Sequence, residues 1–428
     1  MPSAPDHDPE HDSDHNQGRL LLLIPKTSYR AQDFLAAAEQ LGADVAVGSN
    51  HRSTLEKLSD GKTVKFNFKT IERGVKEIVA YHEKHPLKAV LSVDEETTVL
   101  AAEACKALGF PHNPPDAIRA TVDKYKFRQA IIKAGLPSPE VTRLTIYDDP
   151  ITPARKVDYP VVLKPAALSA SRGVIRADYE AEFIAAFERI VKILHRADLV
   201  FTGEGKDQIL VETFIPGMEV ALEGLLQDGD LTRLALFDKP DPLNGPFFEE
   251  TLYITPSRLP EKTQDLITET TAKALSILGL TDGPVHAELR VNSLGVYVIE
   301  VGARTIGGLC ARTLQFGTGM SLEEIVLRHT LGLALPSTER EVTASGVMMI
   351  PIPEAGVLKS VSGEEEARSV PGIEDVTISI SIGKELIPLP EGNKYLGFIF
   401  AKAETPESVE VALREAHRRL AFDITDTE

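Results

Sequence analysis

Tryptophan is absent from this chain, and cysteine occurs only twice in 428 residues. Cys105 and Cys310 lie far apart and without metal-type spacing, which excludes a disulfide framework and a zinc knuckle and suits free thiols in a reducing compartment. Positive charge is in deficit as well: 46 Lys and Arg face 64 Asp and Glu, a formal net charge of −18. That balance excludes nonspecific nucleic-acid binding, which needs cations to neutralise phosphates, yet it leaves room for a small anionic substrate in a locally basic cleft. No uninterrupted apolar run reaches the roughly 18 residues that cross a bilayer. The first 17 residues, rich in Asp, His, Pro and Ser, lack the apolar segment of a signal peptide. The expectation is a cytoplasmic protein with no membrane and no nucleic-acid partner. His7, His11 and His15 recur every four residues, as on a metal-binding helix face, but Pro5, Pro9 and the local acidity read as a disordered tail over 1–17.

What is present is long enough for two or three domains. Leu20 to Ile24 is a continuous apolar run, the pattern of a strand buried on both faces. A helix from Ala31 to Leu41 follows, then a strand from Val45 to Val47, a helix from Ile71 to His82, a strand from Ala89 to Val93 and a helix from Thr97 to Leu108. This alternation predicts an α/β domain over 18–116 with a parallel sheet, which binds ligands beyond the carboxyl ends of its strands. Asp94, Glu95 and Glu96 stand at such an end. Glu95 is a candidate for a substrate ammonium, and the three acids suit a helix N-terminus equally well. Asn113 to Asp116, with Pro114 and Pro115, reads as a linker. Two further α+β stretches, 117–205 and 206–339, and a carboxyl-terminal α/β segment, 340–428, complete the expected organisation.

The most informative run is His286-Ala-Glu288-Leu-Arg290-Val-Asn-Ser-Leu-Gly295-Val-Tyr-Val-Ile-Glu300-Val. Two alternating stretches flank a polar turn, which predicts a hairpin with a three-residue loop at 293–295 and Gly295 in the left-handed region. Pairing is then symmetric about residue 294 and sets Glu288 opposite Glu300, with Cβ atoms roughly 5 Å apart. Facing carboxylates repel unless a hard divalent cation such as Mg²⁺ lies between them; a solvent-exposed sheet face is the alternative. His286 shares their face, as a metal- or substrate-orienting group or as a structural histidine.

Upstream, Lys164 ends the apolar run Tyr159-Pro-Val-Val-Leu and either aims a compact charge at a phosphate or snorkels at a strand end. Ser169-Ala-Ser171-Arg-Gly173 is a small-residue loop of the kind that offers backbone N–H groups to phosphate oxygens. Ile209-Leu-Val-Glu212-Thr-Phe214-Ile215-Pro-Gly-Met-Glu219 reads as a strand and a tight turn. Its exposed backbone suits an adenine edge and Glu219 suits ribose hydroxyls, while Phe214 and Ile215, taken singly, read as core.

Five short signatures in this order resemble the ATP-grasp superfamily over residues 19–335: Asp123-Lys124 before a helix, Val162-Leu-Lys164-Pro, Ser169 to Gly173, Val211 to Glu219, and His286-Ala-Glu288 with Glu300-Val-Gly302-Ala-Arg304. The resemblance implies a pre-ATP-grasp parallel-sheet domain followed by an ATP-grasp fold of two α+β subdomains. It implies ATP and Mg²⁺ as cofactors, with Mn²⁺ able to substitute. Lys124 and Lys164 would contact ATP phosphates under the loop carrying Ser169, Ser171 and Gly173. Glu212, Phe214 and Ile215 would line the adenine pocket, Glu219 would hold the ribose, Glu288 and Glu300 would bind metal, and Arg304 would face the transferred phosphate and the oxyanion. Many members carry Asn where this chain has Gly302. That glycine, with Thr305-Ile-Gly307-Gly308 after it, is most similar to the L-amino-acid (dipeptide) ligases, in which the turn lies near the acyl substrate. Glu250, in the stretch that receives the second substrate in the family, is a further candidate. The implied activity is ligation of a small-molecule carboxylate and an amine through an acyl phosphate, with catalysis by Arg304, Glu300 and Lys164; association as a homodimer is left open. A bicarbonate-using carboxylase of the same superfamily and a non-catalytic ATP-binding protein are the competing readings.

Overall fold

The computed structural model describes residues 18–52, 60–196 and 205–426. The tail expected to be disordered, with His7, His11 and His15, lies outside them. The chain divides into two compact units, one running to His112 with Leu327–Leu333 added, the other comprising Asn113–Val326 and Ala334 onward.

The first unit holds strands β1 (Arg19–Leu23), β2 (Val45–Ser49), β3 (Thr63–Lys65) and β4 (Leu87–Ser92) and helices α1 (Ala31–Gln40), α2 (Ile71–His82) and α3 (Thr98–Leu108). The strands form an all-parallel sheet in the order β3-β2-β1-β4. Leu20 to Leu23 are fully buried, as a strand covered on both faces requires. The β3 strand is absent from the sequence reading because three half-exposed residues carry no periodic signal.

The second unit begins with two short helices, α4 (Pro115–Val122) and α5 (Lys124–Lys133). The expected linker over 113–116 is therefore a helix start: Pro115 occupies the first helical position, where its missing N–H and fixed φ are no handicap. Asp123 caps α5 by accepting from the Tyr125 and Lys126 amides, each at 3.0 Å. Strands β5 (Val141–Thr145), β6 (Val161–Pro165), β7 (Ile175–Ala177) and β8 (Gln208–Thr213) make an antiparallel sheet in the order β5-β8-β6-β7, with α6 (Ile151–Ala154) and α7 (Glu180–Leu194) beside it. Phe183, Phe187, Ile190 and Leu194 of α7 pack on Val161, Leu163, Ile175 and Val211.

Next come β9 (Met218–Gln227), β10 (Asp230–Lys239), β11 (Leu252–Thr255), α8 (Glu261–Leu278), β12 (Gly283–Asn292) and β13 (Gly295–Gly302). A short pair, β14 (Gln315–Phe316) and β15 (Met320–Ser321), and α9 (Leu322–Thr330) follow. The chain ends with β16 (Ala344–Ile350), β17 (Gly356–Ser362), α10 (Glu364–Arg368), β18 (Ile373–Ile378), β19 (Glu385–Leu386), β20 (Gly397–Ala403), α11 (Pro406–Arg419) and β21 (Ala421–Thr425). One eight-stranded antiparallel sheet, β13-β12-β9-β10-β11-β16-β20-β18, runs through both halves of this unit. Strands β19-β17-β21 form a separate small sheet.

The carboxyl-terminal segment reaches back to the small-residue loop. The Gly173 amide donates to the Pro390 carbonyl at 2.9 Å, and Arg189 of α7 makes two hydrogen bonds, 2.6 and 2.9 Å, to the Glu391 carboxylate.

Candidate active site

The candidate site is one face of the large sheet, and strand register builds it. Glu219 of β9 stands opposite Arg290 of β12 on one side and Lys239 of β10 on the other. Two residues along, Ala221 faces Glu288, which faces Glu300 of β13. Two further, Glu223 faces His286, which faces Gly302. Alternation of side chains along each strand puts these rows on a common face. Val220, Leu222, Ala287 and Leu289 point the other way and are fully buried.

The hairpin turn differs from expectation. The loop has two residues, Ser293 and Leu294, so Asn292 pairs with Gly295 and Leu289 with Val298. Gly295 has φ +143°, within the left-handed region that favours glycine, as expected. That register alone would set Glu288 against Ile299. A β-bulge between Leu289 and Glu288 inserts Ile299 as an extra residue and brings Glu300 opposite Glu288. The facing carboxylates are real, and the bulge rather than the loop produces them.

Lys239 is the counterion of three carboxylates: Glu219 at 2.9 Å, Glu288 at 3.3 Å and Glu250 in a short contact. Oxygen atoms of Glu219, Glu250 and Glu288 all lie within 4.8 Å of one another. Burial would depress the Lys239 ammonium, but the three acids hold its pKa well above the usual lysine value. Burial and the neighbouring Glu288 charge push the Glu250 carboxyl up to about 7. Burial opposes ionisation of Glu288 too, yet Lys239 and His286 hold it well below the ordinary carboxylate range. Three hard oxygen donors converging at one point are a donor set that fits Mg²⁺. Glu300 is not in this tight group. Its Oε1 lies 3.5 Å from the Lys124 Nζ.

Glu223 is 1% exposed. One of its oxygens accepts from His286 Nδ1 in a short contact and the other from the Ile306 amide at 3.0 Å. The His286 Nε2 lies 3.4 Å from Glu288. Burial alone would lower the imidazole pKa, but Glu223 and Glu288 raise it to about 9, so the ring is an imidazolium donating from both nitrogens. The turn carrying Gly307 and Gly308 is thereby tied to the sheet face through Ile306. Gly308 packs beneath Phe398 of β20, where an added Cβ would meet the ring at 3.1 Å. At Gly302 a Cβ would meet Arg304 Cγ at 3.3 Å, so a residue with a side chain there would crowd the arginine.

On the other side of the hairpin, Lys164 Nζ bonds Glu212 Oε2 at 2.7 Å, and Glu212 also accepts two hydrogen bonds from Arg128. Burial favours the neutral form of both partners. It lowers the pKa of Lys164, whereas Arg128 and Lys164 together hold Glu212 below its usual value. Lys124 reaches the Leu168 carbonyl at 3.0 Å, just before the small-residue loop. In that loop Ala170 and Ser171 both have φ near +55°, a left-handed conformation that non-glycine residues adopt at a cost and that points successive amides to one side.

Glu212, assigned to the adenine pocket by resemblance, thus sits in an ion-pair network with Lys164, and Glu219 in the Lys239 group. Phe214 is buried under Arg176 at 4.2 Å and Arg290 at 5.1 Å, and the Ile215 carbonyl accepts from Arg290. Glu95 lies in the first unit, on the short 3₁₀ turn after β4. Four residues of the network escaped the sequence reading: Arg128, Glu223, Lys239 and Arg290. The alternation Glu219-Val-Ala-Leu-Glu223 signals the face of β9, but cross-strand partners are invisible without register.

Family models agree with this geometry. Residues 157–313 match an ATP-grasp domain, 35–112 an ATP-grasp N-terminal domain, and 348–425 the L-amino acid ligase C-terminal domain 2. The chain carries domains of the ATP-grasp superfamily. Within it, the likeness is to the L-amino-acid ligases. The crystal structure of L-amino acid ligase from Bacillus licheniformis superposes with a TM-score of 0.81 at 28% identity, covering 96% of this chain and all of that one. Alanine–anticapsin ligase of Bacillus amyloliquefaciens is 28% identical over 60% of this chain, and dapdiamide A synthase of Enterobacter agglomerans 27% over 55%. The matches span 56% and 54% of those two proteins, little more than half their length. Among the described residues no helix is long and apolar enough to cross a membrane.

Proposed function

We propose that the protein is an ATP-dependent carboxylate–amine ligase that joins an amino acid to a second substrate through an acyl phosphate, releasing ADP and phosphate. The observation that carries this reading is the juxtaposition of Glu288 and Glu300 on one sheet face, with Lys124 and Lys164 beside it and Arg304 two residues past the hairpin. Glu288 and Glu300 would hold Mg²⁺, with Glu250 and Glu219 close by. When bound, the metal would neutralise charge on the phosphates.

The substrate carboxylate oxygen attacks the γ-phosphorus of ATP, and ADP departs as the acyl phosphate forms. Lys124 and Lys164 counter the negative charge of the phosphates, and the left-handed pair Ala170 and Ser171 offers amides to them. The amine then attacks the acyl carbon, loses a proton, and expels phosphate as the amide bond forms. Arg304 donates to the oxyanion of the tetrahedral intermediate. Glu250 and the turn at Gly307 and Gly308 flank the position of the acyl and amine groups.

The test is release of ADP and phosphate over an array of amino-acid pairs, with mass spectrometry of products. ADP formed with two amino acids and a dipeptide mass supports the ligase. ADP formed with bicarbonate and no amino acid would replace it with a carboxylase, and no ADP with any pair would leave an ATP-binding protein.

A further inference from the structure

Arg128 has no role in the reading above, yet its guanidinium is engaged on every side. It is 0% exposed. Its Nε donates to Glu212 Oε1 at 3.1 Å, Nη1 to the Ser138 hydroxyl at 3.3 Å and the Val298 carbonyl at 2.7 Å, and Nη2 to Glu212 Oε2 at 3.3 Å and the Ile299 carbonyl at 2.9 Å. A guanidinium has five N–H donors in a fixed planar fork, and all five are used. Burying such a cation is costly unless every donor is met, so the surroundings have been shaped around it.

The two carbonyls are those of the bulge. Val298 pairs with Leu289 and Glu300 with Glu288, leaving Ile299 without a counterpart on β12. A bulged residue interrupts the ladder and leaves backbone groups that need partners elsewhere. Arg128 supplies them from α5. One helical turn earlier, on the same face of α5, Lys124 reaches Glu300 itself. The carboxylate side of Arg128 completes a circuit: Glu212, held by the fork, in turn holds Lys164.

We propose that Arg128 is a positioning residue that pins the hairpin bulge to α5 and thereby sets Glu300 and Lys164 in mutual register for a metal–nucleotide complex. This rests on the assignment of Glu300 to metal and Lys164 to phosphate made above. The guanidinium touches neither nucleotide nor metal; it acts through the Ile299 carbonyl and through Glu212. Lysine at this position keeps the charge beside Glu212 but reaches as a single point, so it cannot serve both carbonyls and both carboxylate oxygens.

The test compares wild type, Arg128→Lys, Arg128→Gln and Glu300→Gln, reading Mn²⁺ binding in the presence of ADP by electron paramagnetic resonance, with thermal unfolding as the check of folding. Partners that orient a metal ligand typically contribute 10–100-fold in metal affinity. The expected result is a folded Arg128→Lys protein with Mn²⁺ affinity about 10-fold or more below wild type, and Arg128→Gln at least as weak. Wild-type Mn²⁺ affinity in Arg128→Lys, with loss in Glu300→Gln, overturns the role of Arg128 alone. Unchanged affinity in Glu300→Gln removes the metal assignment and the inference with it. If neither Arg128 variant folds, Arg128 is a framework residue and the proposal fails.

Discussion

At the scale of single residues, Arg304 and His286 carry opposite kinds of expectation. Under the proposed function, Arg304 acts on charge that develops only during acyl transfer. Arg304→Ala is expected to keep nucleotide affinity and to lose roughly 100- to 1,000-fold in ligation rate, the usual effect of removing one such donor. Ligation at the wild-type rate would dismiss its role. His286 belongs to stability. Its pKa is raised from 6.5 to about 9 by Glu223 and Glu288 despite burial. A raised folded-state value means the imidazolium stabilises fully below the unfolded value and loses that contribution as pH climbs through the folded one. Metal-free protein should therefore lose on the order of 3 kcal/mol between pH ~6.5 and ~9 relative to His286→Gln. Chemical denaturation across that window measures it, and parallel curves for the two proteins would contradict the ion-pair account.

At the scale of elements, the turn from β8 to β9 presses against the hairpin of β12 and β13. Gly217 has φ +127°, and a Cβ there would come within 2.3 Å of the Val291 carbonyl oxygen. Gly229, in the next turn, has φ +90° but nothing within 4 Å of such a Cβ. Gly229→Ala should lose about 1 kcal/mol from backbone strain alone, and Gly217→Ala at least twice that, since β12 must shift as well. Equal losses on thermal melting would show that the close approach carries no energetic weight.

Elements also explain what was legible beforehand. Helix α8 carries its own boundaries in the sequence, since Pro260 precedes it and a left-handed glycine, Gly279, closes it. Glu288 and Glu300 were found because alternation marks a face, though the route to their pairing assumed one loop residue too many and no bulge. Arg128 could not be found: its partners Glu212 and Val298 lie 84 and 170 positions away, and no local pattern encodes such a contact. Short, half-exposed strands such as β19 and β21 carry too few buried residues for a period to emerge.

At the scale of the second unit, the carboxyl-terminal segment is part of the sheet that carries the site, since β16, β20 and β18 extend it beyond β11. It also fastens the small-residue loop and α7 through Pro390 and Glu391. A surface ion pair is usually worth no more than about 1 kcal/mol, and a two-pronged arginine–carboxylate contact stands at the upper end. Glu391→Ala is accordingly expected to raise the KM for ATP about threefold to fivefold with kcat little changed, and the exchange Arg189→Glu with Glu391→Arg to restore much of it. Initial-rate kinetics decide this, and an unaltered KM in the single variant would deny the fastening any part in nucleotide binding.

The bond from Gly173 to Pro390 has a bearing on biosynthesis. A ribosome emits the small-residue loop more than two hundred residues before the carbonyl that completes its hydrogen bonding. A nascent or prematurely terminated polypeptide would present the ATP-grasp signatures without the finished loop, so under the proposed function ATP consumption would await the nearly complete chain.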